Sequence, residues 1–83
     1  MNEEYFNKRK KEIINLINEE LESNTKLSRD ETKSYQIILE ILEDYIFSTR
    51  KLVKGRLIHT IIDSLIVNNN SIEDSIFYFD NSI

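Results

Sequence analysis

Residues 28–67 read SRDETKSYQIILEILEDYIFSTRKLVKGRLIHTIIDSLIV, a stretch without proline and with a single glycine, Gly55. It opens on a helix start. The Ser28 side chain is placed to accept a hydrogen bond from the third helical amide, while Glu31 reaches back to the amide of Ser28. Read as one helix from Arg29 to Val67, the stretch spans roughly 58 Å at 1.5 Å per residue, about twice the width of a small domain. Gly55 either ends one helix and allows a bend, or sits inside a continuous helix at a cost of about 1 kcal/mol relative to alanine. No clear new cap follows it, which favours a continuous or mildly kinked helix.

Within the stretch, Tyr35, Ile38, Leu42, Tyr45, Thr49 and Leu52 recur at alternating three- and four-residue steps and define a packing seam. Ile37, Leu39, Ile41, Ile46 and Phe47 widen the apolar surface beyond that seam, and Leu57, Ile58, Ile61, Ile62, Leu65 and Ile66 repeat the pattern further on. One partner helix cannot bury so much, so Ile37, Ile41, Phe47, Leu57, Ile58 and Ile62 are candidates for an apolar interface.

Upstream, a first helix is expected over 3–22. Asn2 serves as cap, Glu3 and Glu4 suit the positive helix start, and Ile13, Ile17 and Leu21 recur every four residues. Residues 23–27 form a short connection, which makes the first two helices antiparallel neighbours. Folding the chain about that turn sets Lys8 opposite Glu43 and Lys11 opposite Glu40. The run Lys8-Arg9-Lys10-Lys11 then either matches the acidic patch Glu40, Glu43 and Asp44 or forms a phosphate-binding patch. Downstream, Asn68-Asn69-Asn70 marks a turn. A terminal helix over 72–79 follows, started by Ser71 with Asp74 as a weak capping-box partner. Ile72, Ile76, Phe79 and Ile83 share its face, Phe77 and Tyr78 broaden it, and it is expected to lie over 58–66 as a lid.

The 83 residues allow one small domain, 1–83, of a size that gains only a few kcal/mol from its own core. With no cysteine, disulfides, thiolate metal sites and thiol nucleophiles are excluded. No run approaches the roughly 20 apolar residues of a membrane span. A secretory signal is not evident either, because Glu12, Asn15, Asn18 and Glu19 interrupt the segment after the basic run. A cytoplasmic protein without membrane contact is therefore expected. The net charge of −4 argues against a general nucleic-acid binder.

Candidates for chemistry are few. His59 stands one helical turn before Asp63, a pair that can orient a general base, but nothing completes a triad; a local ion pair or a partly buried histidine is the simpler reading. Glu40, Glu43 and Asp44 could share a face, yet the helical Glu-x-x-His ligand pattern is absent. One glycine excludes the usual phosphate-binding loops. No cofactor, metal site or small-molecule substrate is expected, and no enzyme. The basic group Arg50, Lys51, Lys54 and Arg56 is different, since residues 47–59 carry those four cations and no acid. It is either a solvated face or a contact for an acidic partner or a phosphate backbone.

The segments Glu31-Thr32-Lys33-Ser34-Tyr35, Ile38 to Ile46 and Arg56-Leu57-Ile58-His59 resemble the helical domain of archaeal GINS subunits, with Ser71-Ile72-Glu73-Asp74 similar to the acidic helix start that follows there. The resemblance covers roughly 31–79; His59 stands where that family carries lysine, and the family's small β-domain is not part of it. It implies a non-enzymatic scaffold that joins the replicative helicase to its activating partner.

The sequence thus predicts an all-α protein, a three- or four-helix antiparallel bundle built on one long, straight or kinked helix. Its expected role is that of a protein-interaction module, scaffold or accessory subunit, with a protein partner or a second copy as its ligand. A nucleic-acid-binding regulator of a mobile element acting through residues 50–56 is the alternative, and a helical immunity protein that neutralises a toxin is a third.

Overall fold

The computed structural model describes residues 2–49 and 65–82. Among them the chain forms three α-helices and no strand: α1 (Glu3–Ser23), α2 (Arg29–Asp44) and α3 (Asn70–Asn81), with a 3-10 turn at Phe47–Thr49. The all-α class and the small helical bundle agree with the hydrophobic periodicity.

Each helix starts where a polar side chain can satisfy exposed amides. Asn2 accepts from the Tyr5 amide at 2.7 Å, and Glu3 and Glu4 occupy the first turn. At Ser28 both halves of the capping box form: its hydroxyl accepts from the Glu31 amide at 3.1 Å, and its own amide donates to the Glu31 carboxylate at 3.3 Å. The connection between α1 and α2 is fixed by Asn24. Its amide bonds the Glu20 carbonyl at 3.0 Å, and its side-chain oxygen accepts from the Lys26 amide at 3.0 Å.

α1 is the spine of the bundle, with α2 and α3 both packed along it. The Phe6 ring lies 5.3 Å from Tyr45 at the end of α2 and 5.0 Å from Phe79 near the end of α3. At the opposite end of α1, Asn69, the cap of α3, donates through its side-chain nitrogen to the Glu20 carboxylate. Both neighbours therefore run antiparallel to α1. The core is Phe6, Ile13 and Ile17 from α1, Tyr35, Ile38, Leu42 and Tyr45 from the second limb, Val67, and Ile72, Ile76 and Phe79 from α3. Burying a side chain of that kind stabilises by about 1.5–3 kcal/mol before the entropy of ordering it is counted.

The single helix expected from Arg29 to Val67 does not form within the described residues. α2 stops at Asp44, and residues 65–69 are not helical. Three causes converge at the stop. Glu43 and Asp44 put negative charge on the negative end of the helix, and the last turn holds no basic residue. Tyr45, Ile46 and Phe47 are weaker helix formers than the residues before them. Finally, Tyr45 leaves helical geometry (φ −88°, ψ 87°) with its amide bonded to the Leu42 carbonyl at 3.2 Å, while its ring packs edge-on against Phe6 and Phe79. Tertiary packing decides what local propensity leaves open. Whether Gly55 bends a helix lies outside the described residues.

The fold-back register is the expected one, since Phe6 opposite Tyr45 belongs to the same pairing that sets Lys8 opposite Glu43. The charge matching built on it does not occur. Among the described residues the ion pair is Arg9–Glu12, within α1, at 2.8 Å, and Lys8, Lys11, Glu40, Glu43 and Asp44 are exposed. The reason is rotational: Lys8 and Lys11 each lie two residues from a buried position, Phe6 and Ile13, and so point to the far side of α1. Lys10, one turn after Phe6, takes the role instead. Its ammonium sits 6.0 Å from the Phe6 ring centre and donates to the Tyr45 carbonyl at 3.3 Å, supplying the positive charge that the end of α2 lacks.

The terminal helix is longer than the expected 72–79 and begins earlier. Asn69, not Ser71, is its cap, accepting from the Ile72 amide at 3.1 Å. Asn69 prevails because the same side chain also reaches Glu20, which Ser71, exposed on the outer face, cannot do. α3 packs on α1 and on Tyr45; residues 58–64 of the expected lid contact lie outside the described residues.

Candidate interaction surface

α3 divides cleanly into two faces. Ile72, Ile76 and Phe79 recur at steps of four and three and are buried against α1, joined by Asp80. Asp80 is a carboxylate at 0% exposure, and one of its oxygens accepts from the Tyr45 hydroxyl at 3.2 Å. A carboxyl group at that depth is costly unless it is hydrogen-bonded, and this bond ties α3 to the end of α2.

Asp74, Phe77, Tyr78 and Asn81 turn the other way, with Phe77 55% and Tyr78 65% exposed. The two rings stand 6.2 Å apart at an interplanar angle of 76°, so their faces meet as two walls of a corner. Asp74 is three residues before Phe77 and four before Tyr78, which places it one turn below both rings on the same outer surface. These aromatics do not widen the buried face, contrary to expectation. The signal was present in the sequence, because positions 77 and 78 fall off the face defined by Ile72, Ile76 and Phe79 when the helix is projected at about 100° per residue.

The other end of the bundle is polar and acidic. Glu20 accepts from Asn24 with one carboxylate oxygen, at 2.7 Å, and from Asn69 with the other, joining the end of α1 to the first turn and to the start of α3. Tyr35 is buried nearby. Burial pushes its phenol above the ordinary value, and the carboxylates of Glu20, Glu31 and Glu73 push it the same way. A phenol so held is a neutral group at physiological pH, not a base. Ser34, also buried, donates to the Asp30 carbonyl at 2.8 Å and accepts from the Ile66 amide at 3.1 Å, which pins residues 65–67 to α2.

Of the candidate residues named from the sequence, Ile41 and Phe47 are partly buried against the core, with Phe47 5.7 Å from the Phe6 ring, and Ile37 is half-buried. Arg50, Lys51, Lys54, Arg56, Leu57, Ile58 and Ile62 lie outside the described residues, as do His59 and Asp63. An open groove of about 560 Å³ runs beside the start of α2, lined by Leu27, Arg29, Thr32, Lys33 and Gln36. With Arg29, Lys33 and Gln36 exposed, it is a dip in the surface and encloses nothing. Among the described residues no group of three or more His, Cys, Asp or Glu side chains is arranged to hold a metal ion, and no helix is long and apolar enough to cross a membrane. Comparison with protein-family models, curated proteins and solved structures gave no match.

Proposed function

We propose that the protein is a non-enzymatic protein-interaction module, an accessory subunit or regulator that works by docking a protein partner. The observation that carries this reading is the outer face of α3, where two adjacent aromatic rings are exposed on a helix whose inner face is already filled. Exposed aromatics grouped on a rigid element mark interfaces, because each offers large apolar area at little entropic cost on binding. Tyr5, Ile46 and Ile66, each 47% exposed, add smaller apolar areas elsewhere on the surface. The resemblance of residues 31–79 to GINS helical domains makes a replication complex the first place to look for the partner.

The test is affinity purification of the full chain from its native cell, beside a Phe77→Ser/Tyr78→Ser variant. A stoichiometric protein partner retained by the wild type and lost by the variant is the expected result. Retention of nucleic acid without any protein, or of no macromolecule at all, would sink the reading. A toxin as the retained partner would narrow it to an immunity protein.

A further inference from the structure

We infer that the outer face of α3 docks a partner segment presenting Lys or Arg among apolar residues, with the cation seated over Asp74 in the corner formed by Phe77 and Tyr78. The inference rests on the protein-interaction reading and gives that interface its chemistry.

Three observations select this occupant. First, an apolar partner laid across Phe77 and Tyr78 would cover Asp74, one turn below, and leave a carboxylate desolvated with no counter-charge. That arrangement is costly unless a cation pairs with it. Second, the two rings stand at 76° with their centres 6.2 Å apart, so a cation above Asp74 can approach a ring face as well as the carboxylate. Third, the solvent-facing charge carried by α3 is acidic: Asp74 is exposed, Glu73 is partly exposed, and residues 65–82 contain no Lys or Arg. A basic partner is steered toward such a face and an acidic one repelled. A second copy docking through the same face would bring two acidic faces together with no cation between them, and a phosphate backbone would meet the same repulsion.

The experiment uses the full chain and two labelled amphipathic helical peptides, one of leucine and lysine and one of leucine and glutamate. The wild type is expected to bind the Leu/Lys peptide, with affinity falling as salt rises, and not the Leu/Glu peptide. Asp74→Lys and Phe77→Ser/Tyr78→Ser should each weaken binding by about tenfold or more, Asp74→Asn by less, and Glu22→Lys by under about twofold. All these positions are exposed, so unchanged far-UV circular dichroism is expected in every variant. Equal loss in Glu22→Lys and Asp74→Lys would mean that overall acidity, not this corner, attracts the peptide, and would overturn the inference. So would equal binding of the two peptides, or self-association abolished by Phe77→Ser/Tyr78→Ser. If a partner from the native cell is held equally by wild type and Asp74→Lys, the inference fails while the protein-interaction reading stands. If no partner is held, the reading itself fails.

Discussion

Replacing Phe6 tests the claim that one side chain joins all the parts of this bundle. Phe6 is fully buried on α1, and its ring lies 5.3 Å from Tyr45, 5.7 Å from Phe47 and 5.0 Å from Phe79. Truncation to alanine removes the ring and leaves a cavity among three others, a change that costs about 3–5 kcal/mol in well-packed cores. A domain of this length has about 4–12 kcal/mol in total, so Phe6→Ala should lose a large share of its stability, and at the lower end of that range it should be mostly unfolded. Phe6→Leu keeps most of the volume and loses the edge-to-face contacts, each worth about 0.5–1.5 kcal/mol. It should therefore fold with a stability loss of about 1–3 kcal/mol. Phe77→Ala, on the outer face of α3, removes an identical side chain and should stay within about 0.5 kcal/mol of wild type. Urea unfolding followed by far-UV circular dichroism measures all three. If Phe6→Ala unfolds cooperatively with a loss no larger than that of Phe77→Ala, the spine argument is wrong.

Further outcomes follow from single bonds. Lys10→Met keeps the aliphatic stem over Phe6 but removes the donor to the Tyr45 carbonyl; a loss of about 0.5–1 kcal/mol is expected, and it should shrink when the melts are repeated in high salt. Ser34→Ala leaves the Ile66 amide without its side-chain acceptor, at a cost of about 1–3 kcal/mol, and hydrogen exchange should speed up at Ile66 more than at the amides of α1. For Tyr35, the folded phenol titrates above the ordinary value of 10.0, so the unfolded chain releases its proton first as pH rises. The stabilisation is complete below that value and is lost as pH climbs toward the folded pKa. Melting temperature should fall with pH in the alkaline range, and Tyr35→Phe should make the fall shallower; an unchanged slope would refute the assignment.

The parts of this fold that were legible in the sequence are those governed by local chemistry. The Ser28–Glu31 capping box and the seam Tyr35, Ile38, Leu42 and Tyr45 needed only spacing and side-chain type, and both are present. The pairing of α1 with α2 followed from a short connection. What could not be read was decided by contacts between distant residues. No glycine or proline announces the end of α2; Tyr45 ends it by turning into rings contributed by residues 6 and 79. Ser71 was as good a cap by sequence as Asn69, and the difference lies in Glu20, an entire helix away. The surface differs again. Phe77 and Tyr78 belong to a face that spacing alone assigns to solvent, whereas their aromatic character alone points to the core.

The contact between Phe6 and Phe79 also sets the order of events during synthesis. A nascent chain can pair α1 with α2 as soon as both have emerged, because a short turn makes that closure cheap in entropy. The other side of α1 must wait for residues 72–79, which are synthesised after α2 at about 5–20 residues per second, and until then part of the spine has no cover. For that interval Phe6 has Tyr45 and Phe47 beside it but lacks Phe79. The bundle therefore matures in two stages, a local hairpin and then a long-range closure, and the second is where a slow or misdirected chain is most exposed to aggregation.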